Sequence, residues 1–390
     1  MKLLKCFYLF LVLVVGCQAK KNDRGGGMPV YDLKKLTKTT QVSLSELGFI
    51  DVLYIPLETV NEGIINKINE IKCDNASFIL HYYNDILKFD ANGLLKCRIG
   101  KEGRGPGEFI TAHEIDFDEI THKIYLVDGW IKRFFVYSGD GKLLRTFNSP
   151  FNTTKFILIG DSILCFSTNY IGNVDTSFVL IDTVGNILMS FPNRYPWHYK
   201  VQQGTAGFEE NLFYKFNNRI FKKEIYSDTV FKFQNGSFLP HIVIRHRDKL
   251  LNTKSRSEFS PEFLLENYIS QKRIFEFGDY LYYEFAIGLI HNKRYCLIGS
   301  KKTGSQYLMS FDQGLINDLD GGPNILPKTV KDENTIVGWV DAIKLKNHVA
   351  STTFKNSNPK YPEKKKELEE FANSLKDTDN PVLVLVSLKQ

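Results

Sequence analysis

This sequence is poor in the signals that mark most functional classes. None of its 6 cysteines pairs at Cys-x-x-Cys spacing, which argues against zinc ribbons and thioredoxin-like redox centres. Its longest apolar run, residues 7–15, falls well short of the roughly 20 residues that carry a helix across a bilayer. The net charge is only +6 and is scattered along the chain, too weak a basic signal for nucleic-acid binding. Amphipathic helical periodicity is nearly absent, so helix pairs stacked as a solenoid do not describe the body of the fold. What is present is a globular composition. Hydrophobic residues at 43% against 24% charged fit neither a disordered chain nor a polytopic membrane protein. The 390 residues suffice for two ordinary domains or one built from repeats, and 30 Phe with 19 Tyr favour strands.

The amino terminus reads as an export signal. Lys2 and Lys5 precede the apolar run, which has signal-peptide length and flanks. It ends in Val14-Val15-Gly16-Cys17, which resembles the lipobox of bacterial lipoproteins, where the small residue admits a peptidase and the thiol accepts a diacylglycerol. The expected organisation is a signal peptide at 1–16, a lipidated flexible tether at 17–45 and a folded body at 46–390. Cys17 then holds the chain on a membrane of the cell envelope, with the outer membrane expected, because several acyl chains on one residue anchor stably. Cys73, Cys97, Cys165 and Cys296 remain; they are expected as free thiols, with one disulfide as the alternative.

The body repeats. A strand, a polar turn with Gly and a second strand recur at Ile86–Leu95, Phe134–Leu144, Phe178–Leu188 and, more weakly, Val230–Phe238. The turn glycines stand at positions 93, 141, 185 and 236. Alternating apolar residues around Asn-Gly or Asp-Gly turns predict hairpins, since such turns need φ > 0. A period of about 40–50 residues with four short strands per unit marks a β-propeller blade. The span from Phe49 to Lys389 fits six blades better than five or seven. The expected fold is therefore all-β: a six-bladed β-propeller with four-stranded blades and short helical insertions in the later ones. The apolar stretches Phe49–Ile55 and Val382–Leu388 should share one blade and close the ring, leaving no exposed edge. Ser260 followed by Pro261 predicts a helix start. A second helix is expected over Pro362–Lys376, packing Leu368, Phe371, Ala372 and Leu375 on the propeller edge.

The run Ile99-Gly100-Lys101-Glu102-Gly103-Arg104-Gly105-Pro106-Gly107-Glu108-Phe109 resembles a signature of the six-bladed propeller lipoproteins of Bacteroides-type bacteria, relatives of NHL-repeat propellers. Ile55-Pro56-Leu57-Glu58, Ser227-Asp228-Thr229-Val230-Phe231 and Asp379-Asn380-Pro381-Val382-Leu383-Val384 resemble the same family. The resemblance spans nearly the whole mature chain. It implies the fold and the lipid anchor and brings no agreed reaction or ligand.

Candidate sites are few. The 100–109 run lacks the Gly-Lys-Ser/Thr ending of a phosphate loop and the G-x-G-x-x-G spacing of a dinucleotide site. It reads as an inter-blade crossing in which Gly103, Gly105 and Gly107 permit tight geometry, Pro106 stiffens the loop and Phe109 packs into the next blade. Arg104 and Glu108 are its side chains with reach toward a central channel. His113-Glu114 lacks the second His of a zinc-protease helix, and Asn317–Gly322 lacks the distal Glu of a calcium loop. His241, Arg245, His246 and Arg247 read as a solvated edge. Asn193–Lys200 has no alternation and reads as a loop, where Tyr195 and Trp197 could stack on a sugar face. Arg104, Tyr195 and Trp197 are the candidate ligand contacts; no catalytic, metal or cofactor residue is assigned. The expected function is binding or scaffolding, with a glycan or an envelope protein as partner. The alternative is a metal-assisted lyase or hydrolase working in the channel, which would place converging His, Asp or Glu at strand starts.

Overall fold

In the computed structural model the described residues are 27–35, 38–60, 65, 68–74, 76–82, 84–198, 207–288 and 293–389. The expected signal peptide and Cys17 lie outside them. Six antiparallel sheets follow one another along the chain. Blade 1 consists of Glu70–Cys73, Ser77–Tyr82, Asp85–Asp90 and Leu95–Arg98, from the inner strand outward. Blade 2 follows with Glu114–Phe117, Ile124–Asp128, Arg133–Tyr137 and Leu143–Asn148. Blade 3 is Lys155–Ile159, Ser162–Phe166, Thr176–Asp182 and Ile187–Pro192. Blade 4 is Asn211–Phe216, Arg219–Glu224, Thr229–Gln234 and Ser237–Arg245, and blade 5 is Ile269–Phe277, Tyr280–Ile287, Arg294–Ser300 and Gln306–Ser310. Blade 6 takes Thr329–Val330, Thr335–Val340 and Val382–Leu388 from the carboxyl end and Phe49–Pro56 from the amino end. The last two pair antiparallel, from Phe49 opposite Leu388 to Pro56 opposite Val382, so the expected ring closure is present.

The repeating glycines are explained by their backbone. Gly93, Gly141, Gly185 and Gly236 all have positive φ, and each opens the hairpin between the third and fourth strands of its blade. A Cβ on Gly93 would also stand 2.1 Å from the Pro56 carbonyl oxygen of the preceding blade. The turn is therefore tight both in its own conformation and against its neighbour.

Apolar side chains fill the spaces between blades. Phe134 stacks on Phe147 at 4.9 Å and meets Phe156 of blade 3 edge-on at 5.2 Å. Full burial of one such side chain contributes about 1.5–3 kcal/mol, and rows of them between successive faces hold the ring. Cys73, Cys165 and Cys296 are buried in these layers, Cys97 is half-buried, and all four are free thiols.

One boundary differs from expectation. The described residues between 30 and 45 do not belong to a free tether. Val30–Asp32 forms a parallel fifth strand on the outer edge of blade 4, Thr40 donates to the Leu308 carbonyl of blade 5, and Val42 and Leu44 are buried. The unpaired outer edges of blades 4 and 5 recruit this segment, which covers backbone groups that the outermost strands leave open. Pro362–Ser374 is helical as expected, and its Leu368 and Ala372 pack with Leu345, Val349 and Phe354 beside blade 6. Pro261–Asn267 is helical with Ser260 accepting from the Phe263 amide. Three further helices, Thr253–Glu258, Ala342–Ala350 and Thr352–Asn356, were not expected.

The strand order fixes two ends. Inner strands begin at one end, called here the mouth. The turns joining first to second and third to fourth strands lie at the opposite end.

Candidate functional site

The first residues of the inner strands meet at the mouth. Lys72 of blade 1 pairs with Glu70 at 2.9 Å and reaches Glu114 of blade 2 at 3.4 Å. Lys155 of blade 3 approaches Glu114 at 3.8 Å and pairs with Glu209, just before the inner strand of blade 4, at 2.9 Å. One layer deeper, Lys215 of blade 4 crosses to Asp116 of blade 2 at 3.0 Å, and Asp116 also accepts from the Leu158 amide at 2.9 Å. Four carboxylates and three ammonium groups thus alternate around the channel. Glu70, Glu209 and Lys215 are half-buried, whereas Glu114 is nearly buried.

Position sets each charge. Burial pushes the Glu114 carboxyl up, the neighbouring Glu70 pushes it further, and despite Lys72 and Lys155 it rises to about 7. Burial acts on Glu70 the same way, but Lys72 and Lys155 outweigh it and hold that carboxyl at about 2. Lys72 and Lys155 are themselves raised, because the surrounding carboxylates overcome their burial. Two carboxyls that share Lys72 are thus split in proton affinity. Beside this ring, Gln271 of blade 5 donates to the Glu209 carbonyl at 2.8 Å and the Lys223 carbonyl at 3.1 Å. Among the described residues, the Gln271 Oε1 and both side-chain polar atoms of the fully buried Asn211 have no partner. No group of three His, Cys, Asp or Glu side chains suited to a metal ion occurs among the described residues.

A second concavity of about 380 Å³ opens between blades 3 and 4, lined by Phe178, Phe191, Phe238, Arg194, Lys222 and Glu224. The Lys222 ammonium sits 4.0 Å from the Phe178 ring centre and 4.2 Å from that of Phe238, and it is hydrogen-bonded to Glu224. Burial lowers the Lys222 pKa although Glu224 works to raise it.

A family model described as a domain of unknown function (DUF4934) matches residues 28–387. The chain belongs to that family. Among solved structures, a Bacteroides fragilis protein described as exported is 17% identical with a TM-score of 0.69, covering 93% of this chain and all of its own. A DUF4221-family member from Bacteroides vulgatus is 14% identical with a TM-score of 0.52, covering 87% and 97%. These likenesses carry the six-bladed propeller fold. No curated protein matches the chain.

Within this DUF4934 domain the three residues expected to touch ligand do not converge. Arg104 is exposed on the crossing from blade 1 to blade 2, two blades from the 193–198 loop. Trp197 is 2% exposed, with the Arg256 guanidinium 4.9 Å above its ring, so it packs inward and presents no platform to solvent. Tyr195 is half-buried and stacks on Tyr226 at 5.2 Å. Tyr199 and Lys200 of the same loop lie outside the described residues. The loop instead contributes Arg194 to the inter-blade cleft.

The glycine run is the inter-blade crossing it was expected to be. Glu108 turns back onto the loop, accepting from the Gly105 amide at 2.8 Å. That amide and Lys101 hold its carboxyl below the usual range. Phe109 is fully buried and meets Phe135 of blade 2 edge-on. His113 accepts from the Gly129 amide at 3.2 Å. Asn317–Gly322 is a polar turn that receives Tyr54, whose hydroxyl donates to Asp320 and accepts from Asn317.

The basic cluster is a solvated edge only in part: Arg245 and Arg247 are exposed, whereas the two histidines are drawn into contacts. His246 is buried between Asp228 and Tyr283, Arg247 pairs with Asp32, and His241 bonds Glu276 of blade 5 at 2.8 Å. These groups tie blade 4 to its neighbours.

Proposed function

We propose that this chain is a lipid-anchored cell-envelope propeller that works by binding a polar, hydroxyl-rich ligand such as a glycan at the mouth of its channel. The carrying observation is the alternating ring of Glu70, Lys72, Glu114, Lys155 and Glu209, with unpartnered buried amide groups beside it. Such a ring supplies donors and acceptors at fixed spacing, and a buried polar atom left without a partner gains when a ligand supplies one. The lipobox-like sequence ending in Cys17 supports the anchor, and a relative described as exported is consistent with it.

Thermal stability of the mature chain against a panel of oligosaccharides tests the reading. A true ligand should raise the melting temperature with concentration as RT ln(1 + [L]/Kd), and Lys155→Met should abolish the rise. A panel that leaves the melting temperature unmoved removes the glycan assignment. Mass analysis of the native protein finding residue 17 without acyl chains removes the anchor.

The split between Glu70 and Glu114 favours one second reading, an acid–base enzyme acting on the same ligand, since carboxyls pushed apart are how acid and base roles are assigned. Turnover lost in Glu114→Gln with ligand binding retained would establish it; turnover unchanged in that variant would dismiss it.

A further inference from the structure

Around the channel each lysine of the ring stands within pairing distance of a carboxylate. Between blades 5 and 6, at the same end of the propeller, charge is not balanced in this way. In blade 5, Arg273 stands opposite Glu284, Glu284 opposite Cys296, and Ala286 opposite Arg294. Side chains alternate along a strand, so these five residues share one face. Glu284 is buried and pairs with Arg273. Arg294, opposite the small Ala286, lays its guanidinium 3.7 Å from the centre of the Phe311 ring. Lys328, on the crossing into blade 6, brings its ammonium to 4.6 Å from the centre of the same ring.

Three cations therefore gather where one carboxylate stands, and that carboxylate is already engaged. Among the described residues neither Arg294 nor Lys328 has a carboxylate partner of its own, and both are half-buried. Taking a charge out of water without an anion costs free energy. One phenyl ring shared between two cations offsets only a small part of that cost. Burial, and next the charge of Arg273, lowers the Lys328 pKa to about 8 although Glu284 works to raise it. Guanidinium and ammonium donors that meet without a partner are the chemistry that recognises carboxylate, sulfate and phosphate groups.

We propose that the mouth end of the interface between blades 5 and 6 is an anion-binding site, in which Arg294 and Lys328 take an oxyanion beside the Arg273–Glu284 pair. Arg294 begins the third strand of blade 5 and Lys328 directly precedes the inner strand of blade 6, so the site opens at the mouth. It lies apart from the ring of Glu70, Glu114 and Glu209 on blades 1 to 4, and it does not rest on the glycan reading. A free anion and the acid group of a larger molecule, such as a uronic sugar, offer it the same chemistry.

The test follows the melting temperature of the mature chain at constant ionic strength as inorganic phosphate or glucuronate replaces chloride. It compares the original chain with Arg294→Gln, Lys328→Met and Lys328→Arg. At least one of the two anions should give the original chain a rise that saturates. Arg294→Gln and Lys328→Met should each weaken that response roughly tenfold or more, the effect of losing a hydrogen bond to a charged group, and Lys328→Arg should keep it. A response to phosphate points to a free anion and a response to glucuronate alone to an acidic sugar; either supports the site. In chloride, Lys328→Met should melt above the original chain, because it removes an unpaired half-buried charge, and the saturating anion should reverse that order. Lys155→Met, expected to abolish the glycan response, should leave the anion response intact, so the two readings fail separately. No saturating rise with either anion, or a rise of equal size in both charge-removing variants, would overturn the site. Lys328→Met melting below the original chain in chloride would also overturn it, since the ammonium would then have its partner within the chain.

Discussion

Glu114→Gln should flatten one part of the pH dependence of stability. In the folded protein the Glu114 carboxyl is raised from its ordinary 4.5 to about 7, chiefly by burial and next by the charge of Glu70. The folded state therefore holds a proton that the unfolded chain releases near pH 4.5. Stability from this group is fully present below that point and is lost as pH rises toward 7, because the folded state must then surrender the proton or keep a buried charge. At about 1.4 kcal/mol per pH unit of difference, the loss is about 3 kcal/mol. For a propeller of this length that is a fall of about 4 °C in melting temperature.

Glutamine keeps the shape and cannot titrate. The difference in melting temperature between the original chain and Glu114→Gln, followed from pH 4 to pH 8, isolates the effect. Lys223, lowered to about 7 by burial, runs in the opposite direction, and it is common to both proteins and cancels. Parallel curves for the two proteins would refute the placement of a nearly buried, proton-holding carboxyl between Lys72 and Lys155.

Gly93→Val should cost about 1–3 kcal/mol, because φ is positive and the new Cβ meets the Pro56 carbonyl. Gly160→Ala, where a Cβ meets nothing within 4 Å, should cost only about 1 kcal/mol; equal losses in denaturant titrations would contradict the packing of the turn. Trp197→Ala should lower stability by about 3–5 kcal/mol as a cavity opens under Arg256, and a stable variant would mean the ring is not buried. Lys222→Met should cost about 3–5 kcal/mol by stranding Glu224 in the cleft. The double change with Glu224→Gln should recover most of that loss, and additive losses would show that the pair is uncoupled.

The ring was readable because its turns demand glycine. Gly93, Gly141, Gly185 and Gly236 are conformational requirements, so their spacing reports the blade period directly. The closing pair was readable because Phe49–Ile55 and Val382–Leu388 are long apolar strands with no partner nearer in sequence. The mouth was not, because Glu70, Glu114, Lys155 and Glu209 are single charged residues tens of positions apart, and no local motif joins them. A signal existed: each stands at or just before the first position of an inner strand, a register that the turn glycines already set. The aromatic loop is the more conspicuous stretch in sequence, yet its Trp197 stands out because it is a large core residue. The strand Val30–Asp32 has no signature in sequence because three residues carry no periodicity; only the sheet edge they cover gives them a conformation.

The helical insertions follow from the same topology. Thr253–Glu258 and Pro261–Asn267 lie in the crossing from blade 4 to blade 5, and Ala342–Ser374 lies between the second and third strands of blade 6. Both kinds of connection open at the mouth, whereas the turn end is made of short reversals. Extra chain therefore gathers around the charged channel, where loops can shape what enters. At the other end the glycine turns are tight reversals. The conformational demand that fixes the blade period thus also confines inserted chain to the mouth.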